Sequence, residues 1–186
     1  MTFTLVASSS YVLVGLLAGG LRTWYGRLCL AGLVFCWMGD VLGPSSFVTG
    51  LYAFLLAHLS FSAAFLTRRM DWRRVGLAML PVFLATGTTG LMLWPHVQPS
   101  EHVPFILYST VISTMVVLSF GISKESRLVL AAAIIFFVSD ILVARWRYAE
   151  SQIDGYLCYI LYYTSCLLFA YSARPVPTQS DSPAPR

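Results

Sequence analysis

The stretch Gly39–Phe61, GDVLGPSSFVTGLYAFLLAHLSF, decides how the chain is read. Beyond Ser46 it carries no acidic or basic residue except one histidine. It has the length and composition of a helix that crosses a bilayer. Yet Asp40 opens it and His58 sits deep inside it. Ionisable groups are costly in a membrane, and where they occur they face a bundle interior or a cavity. The stretch therefore predicts a transmembrane helix that carries chemistry.

The whole chain agrees with this local reading. Its 186 residues are 58% hydrophobic and only 11% charged, with a mean hydropathy of +0.74. A soluble domain has about 45–50% apolar and about 25% charged residues. That gap predicts an integral membrane protein of the all-α, polytopic class. Apolar segments recur to the C-terminus, so a cleaved secretory signal does not account for them. The net charge of +4 comes from a few basic loops. It speaks for membrane topology and against nucleic acid as a partner. Cys29, Cys36, Cys158 and Cys166 each fall within an apolar segment and form no C-x-x-C pair. They read as small buried hydrophobes rather than disulfides or metal ligands.

Seven stretches are apolar enough to span as helix: 4–20, 24–43, 47–66, 75–94, 103–121, 128–145 and 153–173. Helices are the default because backbone polar groups must be satisfied within the segment in lipid. Residues 1–173 thus form one helical domain. Residues 174–186, rich in Pro and Ser, read as a disordered cytoplasmic tail. With the N-terminus outside, ten of the twelve basic residues fall on the cytoplasmic side. That is the sense of the positive-inside rule. The short loops favour a bacterial inner membrane over a eukaryotic endomembrane.

This topology puts several polar groups at one depth. Asp40 lies near the outer end of the second segment, and Asp140 near that of the sixth. Tyr108 enters the fifth segment from the same side. Tyr159, Tyr162 and Tyr163 occupy the outer and middle turns of the seventh. Gly50, Phe54 and His58 recur at i, i+4 and i+8 and share one helix face. Gly50 admits a close neighbour there. Two aspartates facing one apolar cavity suit acid/base work, one as neutral acid and one as carboxylate. Structural roles compete with this. Asp40 would cap the turn at Gly43–Ser46, Asp140 would pair with Arg145, and His58 would bond a backbone carbonyl. Tyr148 and Tyr156 fit an interfacial belt. His96 and His102 flank a proline-containing loop and read as solvated. The run RRMDWRR reads as a topology determinant.

Metal-dependent and serine-dependent chemistry lack their signatures. The chain has three histidines, only His58 lies inside a helix, and there is no H-x-x-x-H, H-E-x-x-H or G-x-S-x-G. Ser139, beside Asp140, is a weaker nucleophile candidate. No metal and no organic cofactor is expected.

The residues that carry a family resemblance are now in place. GDVLG, followed by F-x-x-G-x-x-x-F-x-x-x-H (Phe47, Gly50, Phe54, His58), resembles the first signature of the YhhN family of lysoplasmalogenases. Tyr108, Ile112 and Met115 resemble its central signature. FFVSDILVA with Tyr162–Tyr163 resembles its C-terminal one. The likeness covers roughly residues 28–172. Members usually have eight spans, one more at the N-terminus than this chain shows. Arg145-Trp146-Arg147 is bulkier than the small polar and basic residues expected there. The resemblance implies hydrolysis of the vinyl ether bond of a lysoplasmalogen, to a fatty aldehyde and glycerophosphoethanolamine or glycerophosphocholine. It makes a lysophospholipid the partner and Asp40 and Asp140 the catalytic pair. His58, Tyr108, Tyr162, Tyr163 and Ser139 would line the pocket. Arg147 would meet the phosphate at the mouth, and the chain would lie between the third and fifth helices, along Phe54 and Met115, with Gly50 leaving room for its approach. A small transporter with a buried-aspartate proton relay, or a hydrolase of another lipid bond, remains an alternative reading. The oligomeric state is not legible.

Overall fold

Helix starts follow from capping side chains. Thr23, Ser46, Asp71 and Ser126 each hold extended backbone and accept a hydrogen bond from the amide three residues on. Each thereby satisfies an orphan N–H of the helix it opens. A computed structural model describes residues 2–174 and shows seven α-helices. They are α1 (Thr2–Leu17), α2 (Trp24–Leu42), α3 (Phe47–Leu66), α4 (Trp72–Leu93), α5 (His102–Gly121), α6 (Arg127–Ala149) and α7 (Gln152–Ser172). No strand occurs among the described residues. Except for Arg174, the expected tail lies outside them.

The protein is an all-α bundle, as its hydropathy predicts. Six helices are long and apolar enough to cross a membrane. The exception is α1, at 16 residues. Its expected end at Gly20 comes early, because Gly19 turns left-handed (φ 89°) and residues 20–22 form a 3-10 turn. Helix α6 continues past its expected end at Arg145. The charges that suggested a boundary there are paired: Arg145 with Asp154 at 3.0 Å and Arg147 with Glu101 at 3.1 Å.

Each helix packs on at least one of its sequence neighbours. α1 lies against α2 and α7, α3 against α2 and α5, and α6 against α5 and α7. The core is aromatic: Phe61 stacks on Phe169 with centroids 4.4 Å apart, and Phe136 meets both. α4 stands outermost, packing chiefly on α5, with Leu77, Leu80, Leu84 and Leu91 all exposed. Glycine allows the closest approaches. A Cβ on Gly50 would come within 2.7 Å of the Gly43 Cα, and one on Gly39 within 2.6 Å of the Phe54 ring.

One end of the bundle gathers the basic loops. Arg68 lies 4.1 Å from the Tyr25 ring centroid. Arg74 donates to Ser123 at 2.8 Å, and Lys124 meets Asp71 at 2.7 Å. The Lys124 hydrogen bond holds the Asp71 carboxyl below the usual carboxylate range, with help from the Arg74 amide and charge.

Two outcomes follow. Gly50→Ala forces α3 away from α2 and costs about 1–3 kcal/mol. Gly76→Ala, on α4 with nothing within 4 Å, gains up to about 1 kcal/mol of helix propensity. Thermal unfolding in detergent should rank the two variants on opposite sides of the parent. Because the Asp71 pKa is depressed by folding, its stabilisation is present at neutral pH and lost as pH falls through that lowered value. Asp71→Asn keeps the cap, so its unfolding temperature should trail the parent at neutral pH and converge with it in acid.

Candidate active site

Asp40 and Asp140, near the end of the bundle opposite the basic loops, are each met by polar side chains from other helices. Asp40 lies in the last turn of α2. Its Oδ2 accepts from the Tyr162 hydroxyl of α7 at 2.9 Å and the Tyr11 hydroxyl of α1 at 3.3 Å. It accepts also from Ser8 Oγ of α1. The Tyr11 and Tyr162 oxygens lie 3.0 Å apart as both turn toward this carboxylate. Three donors on one oxygen offset the cost of placing a carboxylate in an apolar bundle.

Asp140, on α6, has a different set. Tyr108 of α5 donates to its Oδ2 at 3.0 Å, and His58 Nε2 of α3 lies 3.3 Å from the same oxygen. His58 Nε2 is also 2.9 Å from the Tyr108 oxygen. With the tyrosine proton on the aspartate bond, the His58 N–H donates to Tyr108, giving a chain His58–Tyr108–Asp140. His58 Nδ1 is buried and without a partner among the described residues.

The two aspartates, with Tyr162 and Tyr108, line adjoining cavities rather than a single one, whereas His58, expected on the pocket wall, is fully buried behind Tyr108 and lines neither. The larger, of about 560 Å³, is walled by Asp40, Ser139, Arg147, Tyr159, Tyr162 and Phe54, with Gly50, Cys158 and Trp146 also on it. The smaller, of about 60 Å³, is walled by Asp140, Thr86, Gly90, Phe105 and Tyr148. Tyr108, Phe47, Leu51 and Val143 line both. Among these shared residues Tyr108 alone has a polar side chain.

Most of the sequence-expected residues therefore meet here, with exceptions. Met115 is fully buried in the core and lines neither cavity. It faces α5's packing side, where it fills space between helices. Tyr163 lines neither cavity; it stacks on Tyr159, and its hydroxyl is buried without a partner among the described residues. Asp140 pairs with His58 and not with Arg145, because residues five apart on a helix do not share a face. Arg147 reaches the larger cavity while paired to Glu101 and lying 4.9 Å from the Phe47 ring. Tyr148 donates to Glu101 at 2.9 Å and belongs to the smaller cavity's wall, more than a belt residue would. His102 stacks on Trp94 at 4.1 Å, whereas His96 is exposed. Ser8 and Tyr11 were not anticipated. Their signal was the polar run Ser8-Ser9-Ser10-Tyr11 within the first apolar segment.

The YhhN family profile matches residues 2–173, which takes in α1 as well as both aspartates. The chain belongs to the YhhN family. Within this YhhN protein the match extends past the span of the motifs that carry the resemblance, to the helix that supplies Ser8 and Tyr11. No curated protein and no solved structure matches the chain significantly. Among its described residues no three His, Cys, Asp or Glu side chains gather as a metal-ligand group.

All four cysteines are free and buried, but only Cys158 lines the larger cavity. A small thiol reagent should therefore modify Cys158 before Cys29, Cys36 and Cys166, and Cys158→Ser should abolish the early labelling. Peptide mass mapping over time decides this; equal labelling of all four would mean the cavity does not admit small molecules.

Proposed function

We propose that this YhhN protein is a membrane hydrolase that cleaves the vinyl ether bond of lysoplasmalogens. The products are a fatty aldehyde and glycerophosphoethanolamine or glycerophosphocholine. The observation that carries the reading is the pair of hydroxyl-bonded aspartates on adjoining cavities that meet at Tyr108. A membrane-embedded reaction on a lipid also gives those costly groups a reason to be there.

The chemistry fits two carboxyl groups. An acid protonates the alkene carbon of the vinyl ether, forming an oxocarbenium ion. A base takes a proton from water as its oxygen bonds to the cationic carbon. The hemiacetal then collapses: its hydroxyl gives up a proton, the carbon–oxygen bond to glycerol breaks, the glycerol oxygen takes up a proton in exchange, and the aldehyde leaves. One water is consumed, and the catalytic protons balance. A similar division of labour serves glycoside hydrolysis, whose transition state is also oxocarbenium-like. These steps call for no metal or organic cofactor.

We assign the acid to Asp140, because fewer donors meet its carboxyl than meet that of Asp40. Asp40, with its three donors and its place on the larger cavity, is the base. Arg147 at the cavity's edge is the partner for the phosphate. We place the N-terminus outside and the C-terminus in the cytoplasm, with the basic end inward. A bacterial inner membrane is the proposed location.

The test is aldehyde release by the purified protein in detergent, with lysoplasmalogen beside its alkyl-ether and ester counterparts and a chelator present. Aldehyde should come from the vinyl ether alone. Asp40→Asn and Asp140→Asn, whose amide oxygens still accept from the neighbouring hydroxyls, should each lower turnover by about 10²-fold or more while remaining folded. Near-parent turnover in both variants would refute the pair. No aldehyde from folded parent protein would refute the activity and favour the proton-coupled carrier.

A further inference from the structure

A lysolipid has a polar half and an apolar half, and a vinyl ether bond lies at their border. The site is divided in the same way. The larger cavity carries Asp40, Arg147, Ser139 and three tyrosines. On the other side of Tyr108, the smaller cavity continues outward between α4 and α5. There it shares Thr86, Gly90, Phe105 and Ser109 with a groove of about 320 Å³. Phe83, Gly87, Leu91, Trp94 and Ile106 line the rest of that groove. Leu91 and Ile106, on its walls, are exposed on the face that the bilayer covers.

The α4 wall is open where it faces this path. A Cβ on Gly87 would meet nothing within 4 Å, and one on Gly90 only the Phe105 ring at 3.8 Å. Both glycines fall in the second half of α4, and Phe105 and Ser109 in the first half of α5. That is the same end of the bundle as Asp40 and Asp140. α4 is also the one helix with no hydrogen bond to either aspartate set among the described residues.

We propose that the groove between α4 and α5 is the alkenyl-chain subsite, reached sideways from the bilayer, and that Gly87 and Gly90 set the chain length it accepts. The headgroup occupies the larger cavity, and the scissile bond lies at Tyr108. This rests on the lysolipid reading above. The occupant is a single hydrocarbon chain, which a lysolipid supplies and which the smaller cavity, of about 60 Å³, and the groove of about 320 Å³ that shares its walls can hold between α4 and α5.

Two measurements test it. The first uses a non-hydrolysable alkyl-ether lysolipid with a photoreactive diazirine near the chain end, so it needs no turnover. Crosslinks should concentrate on residues 83–94 and 105–110, and excess unlabelled lysolipid should remove them. Crosslinks spread over all helices, or displaced equally well by diacyl phospholipid, would mean bulk lipid coats this face and would overturn the subsite. The second measurement compares long-chain and short-chain substrates in Gly87→Phe and Gly90→Leu, with Gly76→Leu on open α4 surface as control. The groove variants should lose roughly tenfold or more in kcat/KM for the long chain and keep the short one; the control should keep both. Equal loss on both chains would overturn the assignment of chain length to these glycines. Groove crosslinking without any aldehyde release would keep the subsite and sink the vinyl ether reaction alone.

Discussion

A carboxylate in an apolar bundle must be met by donors, and in this protein the donors come from other helices. Asp40 binds α2 to α1 and α7 through Ser8, Tyr11 and Tyr162. Asp140 binds α6 to α5 and α3 through Tyr108 and His58. Six of the seven helices are thus fixed by two side chains. An unmet charge at either position would cost several kcal/mol after relaxation, so the groups that hold the site also hold the bundle's register. Lipid gives no hydrophobic drive between helices, which leaves such bonds and close packing to define the arrangement.

Close packing supplies the other half. Gly39, Gly43 and Gly50 remove side chains where α2 and α3 meet, so that Phe54 lies over Gly39 and beside Tyr162 at 5.6 Å. This carries Asp40 toward α7 and sets the wall of the larger cavity. On the opposite side of the core, Phe136 contacts both His58 and Tyr162, at 4.8 and 5.5 Å. One apolar ring therefore touches both aspartate sets and separates them.

The helices were legible because hydropathy and capping residues coincide. The bounds of α3 follow directly from Ser46 before it and the end of its apolar run at Leu66. The ends of α1 and α6 were less legible, since a glycine pair stopped one early and distant ion pairs let the other continue. The depth of Asp40 and Asp140 could be read from sequence, but not their partners. Which hydroxyl meets which carboxylate depends on helix rotation, and a chain scored for apolarity hides Ser8 and Tyr11 in a span. The division into two cavities was hidden for the same reason: it is made by Tyr108, Phe47, Leu51 and Val143 from three helices. Met115 shows the converse, a motif residue whose place is in the packing of the core.

The unequal helices have a consequence for the surrounding lipid. α1 has 16 residues and α4 has 22, lengths of about 24 and 33 Å at 1.5 Å per residue. A hydrocarbon layer of about 30 Å matches neither. Tilt of α4, or local thinning beside α1, closes the difference at a modest cost per ångström. Within residues 2–174, α1, which supports Asp40, and α4, on the outside of the bundle, therefore meet the same hydrocarbon layer with different lengths, and the two must settle their mismatch separately.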